Sequence, residues 1–475
     1  MEYEAIIGLE IHVQLNSETK MFCDCPNRPG DLPNRNICPV CLWTPGALPR
    51  LSQKVLEKAV LTGLALNCEI QPRSRFDQKI YYYPDLPKGY QLSQVHNQFA
   101  RNGWLEIIGE DGESKRLRIL EIHMEEDVAK LVHETEGRKK ISLVDFNRAG
   151  APLVEIVTEP DMRSPRDAME FLRDIRRRIR YAGSAECSME EGTMRVDANI
   201  SIRPRGTDLL NTRVEVKNMN SIRHVGEAIA HEIIRQTERV NAGKAIVLHT
   251  RLWDPERGVT TPMREKFAGP GVPDPSVPEI VITDEWLDTI RAQLPEMPDQ
   301  RRACFVKEYG LTPEEAAVMS SERDLAEYFE RTARACSLPR AAAGWIGERL
   351  MPALKERSQT PADTSVTPSR LAELLEMIDR EEISVSAGKE VFALLFESES
   401  GPKDLVEERG LRQVSDTLEL EEIVDQVIAD NPDAVRDFHN GKKQASGFLI
   451  GRAMKASRGK ANPKLMRQIL DKKLT

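Results

Sequence analysis

Four cysteines in two close pairs place the strongest single constraint on this chain. Cys23 and Cys25 form a Cys-x-Cys pair, Cys38 and Cys41 form a Cys-x-x-Cys pair, and twelve residues separate the two pairs. This arrangement is typical of a tetrahedral zinc site built from four thiolates. A catalytic zinc usually keeps an open position and uses His or carboxylate ligands, so the pattern favours a structural ion that closes a loop. The pattern alone does not separate an enzyme from an RNA-binding module.

Length and composition exclude several classes of protein. The chain has 475 residues, which is too long for one hydrophobic core, so more than one domain is expected. No apolar run reaches eighteen residues, and the N-terminus carries acids and alternates like a strand, so neither a membrane span nor a signal peptide is expected. We therefore expect a cytoplasmic location and no membrane partner. The other cysteines are scattered singly, as inert buried thiols usually are; they are Cys68, Cys187, Cys304 and Cys336.

The pattern of hydrophobic residues predicts an α+β chain with three parts. Residues 1–290 alternate with a period of two in many segments, which predicts an antiparallel sheet with a few inserted helices. Gly269–Ile280 is dense in Pro and Gly and predicts a connection. Residues 291–405 have helical spacing, and residues 406–475 predict four short helices.

Ionisable side chains alternate with apolar ones along four of the predicted strands. Residues i and i+2 of a strand share a face, so each strand presents its ionisable residues together. A solvated face with cross-strand ion pairs would explain any one strand, whereas four such strands in one region favour a concave polar site. The groups are Glu10, His12 and Gln14; Glu121, His123 and Glu125; Arg195, Asp197 and Asn199; and Arg213, Glu215 and Lys217.

A further predicted strand, "APLVEIVT", carries Glu155. A carboxylate on a buried strand is costly unless it is paired or bound to a metal, so Glu155 predicts either a salt bridge or a metal ligand. Carboxylates are preferred ligands of Mg²⁺. The sequence has neither the P-loop pattern GxxxxGK[ST] nor a GxGxxG after a strand, so a nucleotide site here must be of another kind.

Long motifs along the whole chain resemble one known family. In order, they are "GLEIHVQL", "YYYPDLPKGYQLSQ", "HMEEDVAKL", "DFNRAGAPLVEIVTEPDMRS", "EEGTMRVDANISIR", "VEVKNMNS" and "GFLIGRAMKASRGKANPKL". They are similar to the B subunits of the bacterial aspartyl/glutamyl-tRNA(Asn/Gln) amidotransferases, the GatB family. The resemblance implies an N-terminal cradle domain (1–290) with an antiparallel sheet and a zinc-stapled loop. An all-helical domain (291–405) and a small helical YqeY-like tail (406–475) would follow.

The resemblance implies an ATP-dependent carbon–nitrogen ligase that works in a heterotrimer with the A and C subunits of the amidotransferase. The chain would use ATP and Mg²⁺ to phosphorylate the side-chain carboxylate of a misacylated Glu-tRNA(Gln) or Asp-tRNA(Asn). Ammonia that the A partner releases from glutamine would then displace the phosphate and form the amide. Which of the two tRNAs is the natural substrate does not follow from this chain.

The resemblance also implies roles for individual residues. Glu10, Glu125 and Glu155 would bind Mg²⁺ and the nucleotide, and the four cysteines of the two pairs would bind structural zinc. Glu126 should point to the opposite face of a regular strand, so Glu125 is preferred as the ligand. Lys79 would meet a phosphate or the substrate carboxylate. The catalytic set implied is His12, Lys79, Glu125, Glu155 and Asp197.

The C-terminal segment is strongly basic although the chain as a whole has a net charge of -9. Between Gly441 and Thr475 there are ten Lys or Arg residues and one acid, Asp471. Such asymmetry predicts contact with a polyanion, although a solvated helical face would have the same composition. With the resemblance, the expected partner is tRNA. The candidate residues are Lys442, Lys443, Arg452, Lys455, Arg458, Lys460 and Lys464.

One segment departs from the family pattern. Members usually carry Asp-Tyr-Arg-Tyr-Phe-Pro before Pro-Asp-Pro, whereas this chain has "MREKFAGPGVPDP", in which Phe267 is the sole aromatic residue. The change leaves two alternatives to an active enzyme. One is a catalytically impaired paralogue that binds tRNA, and the other is a zinc-stapled scaffold that only assembles partners.

Overall fold

The computed structural model describes residues 2–110, 112–136, 139–263, 269, 271–413, 417–439, 442–457, 461 and 463–474. The chain divides into two compact units, Met1–Pro298 and Asp299–Thr475. The first unit is a sheet with helices and the second is helical, so the predicted α+β class is confirmed. The finer division of the helical part at residues 405 and 406 stays a prediction.

The first unit contains all the strands of the described residues. They are β1 (Tyr3–Gln14), β2 (Glu69–Ile70), β3 (Arg73–Ser74), β4 (Asp77–Ile80), β5 (Tyr90–Ser93), β6 (Ala100–Ile108), β7 (Ser114–Glu126), β8 (Lys130–Glu136), β9 (Lys139–Asp145), β10 (Pro152–Thr158), β11 (Met194–Pro204), β12 (Val214–Lys217), β13 (His249–Asp254), β14 (Val259–Pro262), β15 (Gly271–Pro273) and β16 (Ile280–Val281).

Twelve of these strands form one large sheet within the described residues. Its main order is β14-β13-β12-β11-β1-β10-β7-β5-β4-β15, and β6 joins β7 to β2 at the side of this path. All of its pairs are antiparallel except β12 and β13, which run parallel. Pairs β8–β9 and β3–β16 form separate two-stranded sheets. The long strand β1 is therefore central, with β10 on one side and β11 on the other.

The alternation of β1 sends its odd-numbered residues into the core. Ile7, Leu9, Ile11 and Val13 are buried with exposures of 1% or less. They belong to one apolar cluster with side chains of the helices that cover this face of the sheet, including Phe171. Each such burial contributes about 1.5–3 kcal/mol. The even-numbered residues of β1 are thereby directed to the other face.

The described part of the first unit also contains four helices, which are α1 (Gln53–Ala65), α2 (Pro165–Tyr181), α3 (Ile222–Asn241) and α4 (Asp284–Arg291). Helix α2 begins at a serine cap, because the Ser164 side chain accepts the N–H of Asp167 and proline occupies the first turn. Helix α3 has an equivalent serine cap, Ser221, which accepts the N–H of His224. Helix α3 also provides the crossover between the parallel strands β12 and β13.

The prediction of a connection over Gly269–Ile280 is wrong in part. Gly271–Pro273 forms β15, an edge strand of the large sheet, and Gly271 pairs with Lys79 of β4. Proline and glycine are dense here, but an edge strand tolerates proline because one side of its backbone needs no partner. Phe267 lies outside the described residues.

The second unit is helical. Its helices are α5 (Pro298–Tyr309), α6 (Pro313–Met319), α7 (Arg323–Cys336), α8 (Pro339–Trp345), a π-helical turn (Ile346–Leu350), α9 (Met351–Arg357), α10 (Pro368–Asp379), α11 (Val385–Leu394), α12 (Pro402–Glu408), α13 (Thr417–Asp430), α14 (Pro432–His439), α15 (Lys443–Ala456) and α16 (Pro463–Leu474).

The last four helices share an apolar cluster of their own, which includes Leu420, Val424, Leu449 and Met466. They match the four short helices predicted for the C-terminal segment. None of the helices described for this chain is both long and apolar enough to cross a membrane.

The close packing of Gly103 on β6 gives a test of the sheet packing. A Cβ at this position would lie 2.3 Å from Cys68 Sγ and 2.9 Å from the Leu66 carbonyl oxygen. We predict that Gly103→Ala lowers the free energy of unfolding by about 1–3 kcal/mol, measured by urea denaturation. Gly8→Ala on β1 is the control, because its Cβ would meet nothing closer than 3.8 Å. Equal stability of the two variants would contradict the described packing.

Candidate active site

The register of three neighbouring strands brings polar residues into one row. His12 of β1 pairs with Glu155 of β10, and Glu155 pairs with His123 of β7. Directly opposed residues of antiparallel strands point to the same face, so these three side chains lie side by side. Glu125 lies two residues beyond His123 and shares that face.

The side chains of this row form a connected group. His12 Nε2 lies 3.5 Å from Glu125 Oε1 and 3.4 Å from Glu155 Oε2. His123 Nε2 lies 3.0 Å from the same Glu155 oxygen. Glu125 and Glu155 are buried, and within the described residues Glu125 Oε2 and His123 Nδ1 have no hydrogen-bond partner. An unpartnered, buried carboxylate oxygen is suited to bind a cation.

The pKa values of this group follow from burial and from close opposite charges. Burial alone would lower the pKa of His12, but the hydrogen bond and charge of Glu155 and the charge of Glu125 raise it to about 9. Burial alone would raise the pKa of Glu155, but His12 and His123 hold it well below its usual range. The site therefore keeps Glu155 as an anion between two imidazoles.

A second acidic group lies on the neighbouring strands. Carboxylate oxygens of Glu10, Asp197 and Glu215 lie within 4.8 Å of one another. Lys217 Nζ lies 2.5 Å from Asp197 Oδ2 and 2.9 Å from Glu215 Oε1, so one ammonium joins two of these carboxylates. The Asn199 side chain donates to Glu10 Oε1 over 2.9 Å. The Lys217 charge and the Asn199 hydrogen bond offset the repulsion among the three neighbouring carboxylates.

The predicted magnesium ligands therefore do not form a single compact group. Glu125 and Glu155 lie with His12, whereas Glu10 lies with Asp197 and Glu215. Burial, followed by the charge of Glu155, raises the pKa of Glu10.

A cavity of about 340 Å³ is lined by Glu10 of the second group and by His123 and Glu155 of the first. Lys79 lies at this cavity because β4 is paired with β15 at the edge of the sheet. The sequence alone did not predict that the segment after Phe267 would form one of its walls. The lining residues are Glu10, Lys79, Ser93, Gln94, Val95, Glu121, His123, Glu155, Val157, Gly269 and Gly271.

Glu126 lies outside this site, as the alternation of a regular strand requires. Its Oε1 is bound by the Lys88 ammonium and accepts the backbone N–H of Leu92 over 2.8 Å. Lys88 and Glu126 line a separate cleft together with Cys23 and Cys41.

The four paired cysteines converge as their spacing predicts. Their sulfur atoms all lie within 4.8 Å of one another, and Cys38 Sγ and Cys41 Sγ are 3.8 Å apart. Tetrahedral zinc with four thiolates needs sulfur separations of about 3.8 Å, so this cluster is close enough to bind one zinc ion. A hydrogen bond from Cys23 helps to lower the pKa of the Cys41 thiol to about 5.

The predicted tRNA-binding residues fall into three groups. Arg452 and Lys455 are exposed on α15, and Arg452 Cζ lies 5.3 Å from the ring centroid of the exposed Phe448. Lys442 and Lys464 are exposed but already contact Asp437 and Glu381. Arg458, Lys460 and the side chain of Lys443 lie outside the described residues.

Three residues of the predicted polar strand faces had no functional role assigned from the sequence. His123, Glu215 and Lys217 all belong to the two acidic groups. The alternation of the strands was the signal for each of them. Their involvement depends on which strands are neighbours, and a period of two does not reveal that.

The cysteine cluster gives a prediction about metal content. We expect Cys38→Ser to reduce bound zinc from about one ion per chain to a small fraction and to lower the melting temperature, because one of four ligands is lost. Elemental analysis and thermal unfolding measure the two effects. The control is Cys304→Ser, a partly exposed cysteine outside the cluster. A stable Cys38→Ser chain with full zinc content would contradict the described cluster.

Comparisons with known proteins agree with this arrangement. Residues 5–288 match the GatB/GatE catalytic domain, and residues 327–474 match the GatB domain. A protein from Syntrophus aciditrophicus is 61% identical over 100% of this chain and 99% of its own length, and it is named as a B subunit of the aspartyl/glutamyl-tRNA(Asn/Gln) amidotransferase. Proteins named in the same way from Carboxydothermus hydrogenoformans and Geobacter sulfurreducens are each 46% identical. They cover 100% of this chain and 99% and 100% of their own lengths. The chain belongs to the GatB family.

Proposed function

We propose that this chain activates and amidates the side-chain carboxylate of a misacylated tRNA, Glu-tRNA(Gln), Asp-tRNA(Asn) or both, at the expense of ATP. The observation that carries the proposal is the single cavity shared by Lys79, Glu10, His123 and Glu155, in a chain whose relatives are named as B subunits of amidotransferases. It would act as a carbon–nitrogen ligase within a heterotrimer that also contains the A and C subunits.

The chemistry of the reaction explains why such a site is needed. A carboxylate is a poor acyl donor because oxide would have to leave. Attack of a carboxylate oxygen on the γ-phosphorus of ATP releases ADP and gives an acyl phosphate. Ammonia then attacks the carbonyl carbon, and phosphate leaves with the C–O bond electrons while a proton is lost from nitrogen. Both steps place several negative charges together and therefore depend on fixed positive charge and on positioning.

The residues at hand suit these demands. Lys79 supplies an ammonium at the cavity that would hold a phosphate or the substrate carboxylate. Mg²⁺ would supply charge neutralisation for the phosphates when it is bound. Glu125 and Glu155 would hold it in the first group, and Glu10 would bind it in the second, beside Asp197 and Glu215. His12 orients both buried carboxylates through its contacts of 3.4–3.5 Å. Asp197 is kept in place by Lys217.

The remaining features fit supporting roles. The cysteine cluster would hold a structural zinc. Its four cysteines would fill all four positions of a tetrahedral ion and leave none for water or substrate. The exposed cations and Phe448 of α15 would contact tRNA phosphates and bases through charge and stacking. A binding-only relative remains the alternative, because the altered segment at Phe267 borders the cavity through Gly269 and Gly271.

The first test removes one charge from the polar row. Glu125→Gln should reduce ATP-dependent amidation by about 100-fold or more, because a buried, unpartnered carboxylate oxygen is replaced by an amide. The assay contains the A and C partners, glutamine, Mg²⁺, ATP and each misacylated tRNA.

The matched control is Glu106→Gln, which makes the same change on β6, where an exposed Glu106 pairs with Arg116. Co-elution with the A and C partners shows whether each variant assembles. Full activity of Glu125→Gln would exclude it from the site, and failure to assemble would show that its role is structural.

The second test concerns the C-terminal helices. Arg452→Ala and Lys455→Ala should each weaken tRNA binding and reduce the slope of log K against log salt by about 0.7–0.9. The control is Lys472→Ala, an exposed lysine of α16. Equal salt slopes for all three variants and the parent chain would contradict phosphate contact by α15.

A further inference from the structure

Lys20 is a fully buried lysine that makes no ion pair with a carboxylate of the described residues. Its exposure is 0%. Its Nζ donates to two backbone carbonyl oxygens, over 2.7 Å to Asn36 and 3.3 Å to Phe146. A buried ammonium is costly unless negative charge lies nearby. Two neutral carbonyls satisfy its hydrogen bonds but leave its charge without a counterpart.

The cysteine cluster lies beside this lysine. A Cβ built on Gly150 would lie 3.5 Å from Lys20 Cδ and 3.8 Å from Cys41 Cβ, so the lysine side chain passes one small residue away from Cys41. Lys20, Cys23 and Cys41 line the same cleft. The backbone N–H of Lys20 also donates to the Cys25 carbonyl oxygen over 3.0 Å.

The net charge of a zinc centre with four thiolates explains why a nearby ammonium would matter. Four thiolates around one Zn²⁺ carry a net charge of about −2. Cys41 is buried and the other three cysteines are partly exposed, so water screens this charge only in part and a cation close by stabilises it. Lys88 also lines the cleft, but Glu126 already binds its ammonium. Within the described residues, Lys88 of this cleft has a carboxylate partner, whereas Lys20 has none.

We propose that Lys20 is a positioning residue whose buried ammonium is the counter-charge of the four-thiolate zinc centre. The proposal rests on zinc binding by the four cysteines and is independent of the amidation reaction. Zinc and Lys20 stabilise one another, because each reduces the cost of burying the other's charge.

The same side chain connects the metal loop to the strand that carries Glu155. Lys20 holds the carbonyl of Phe146, at the start of the turn that leads into β10. Met21 N–H donates to Gly150 O, and Gly150 N–H donates to Asp127 O, each over 2.9 Å. The loop at the cysteines is thus joined by hydrogen bonds to the turn that begins one of the active-site strands.

The test uses the full chain and measures zinc, not catalysis. Lys20→Met removes the charge and keeps most of the side-chain volume. In competition with a chromophoric chelator, we expect its zinc dissociation constant to rise about 10- to 100-fold. Lys54→Met is the control, since Lys54 lies in the first turn of α1 beside the cysteine loop, is 75% exposed and is 3.9 Å from Glu18 Oε2. We expect it to leave zinc affinity unchanged.

A comparison of zinc-loaded and zinc-stripped chains separates charge balance from simple packing. We expect Lys20→Met to lower the melting temperature of the loaded chain more than that of the stripped chain, whose thiols no longer carry the metal-bound charge. With Co²⁺ in place of zinc, the sulfur-to-metal charge-transfer band should move to lower energy, because thiolates without a neighbouring cation give up electrons more easily.

Unchanged zinc affinity, or equal loss of melting temperature with and without metal, would overturn the proposal. Lys20→Gln is a second variant that keeps a donor group but no charge, and it should behave like Lys20→Met. If both variants fail to fold whether or not zinc is present, the lysine acts independently of the metal and the proposal is likewise overturned.

Discussion

The antiparallel pairing of β1 with β10 and β11 is the interaction on which the rest of the site depends. It places His12 opposite Glu155 and Glu10 opposite Asp197. A slip of one residue would turn the polar row of β1 into the core and expose its apolar residues. Such a slip would bury charged residues and expose apolar ones, so the free energy of burial keeps β1 in its register. The packing of one face of β1 therefore determines which polar residues meet on the other face.

Electrostatics shape the site once the register is set. Two carboxylates and two imidazoles meet at His12, Glu125, Glu155 and His123, and a second acidic group is balanced by Lys217. Each charged group is close to an opposite charge, as burial requires. Lys20, Lys88 and Glu126 line a separate cleft together with Cys23 and Cys41. The proposed counter-charge of Lys20 would extend the same rule to the cysteine cluster.

The sequence predicted local features well. Cysteine spacing predicted the convergence of the four sulfurs, and alternation predicted which residues of each strand share a face. The order of the strands in the sheet could not be predicted from the sequence. The pairing of β1 with β11 places Glu10 with Asp197 and Glu215, whereas Glu125 lies on β7, two strands from β1. An edge strand at Gly271 brings the Pro- and Gly-rich segment to Lys79. These depend on contacts between residues far apart in the chain, for which periodicity carries no signal.

The most direct measurement is amidation by this chain assembled with its A and C partners, with ADP release followed at the same time. Glu-tRNA(Gln) and Asp-tRNA(Asn) would be offered separately with glutamine, Mg²⁺ and ATP. We predict amide formation on at least one of them, with about one ADP released for each amide because each carboxylate is phosphorylated once. Tight tRNA binding with neither amide nor ADP would contradict this function and would identify a binding-only relative.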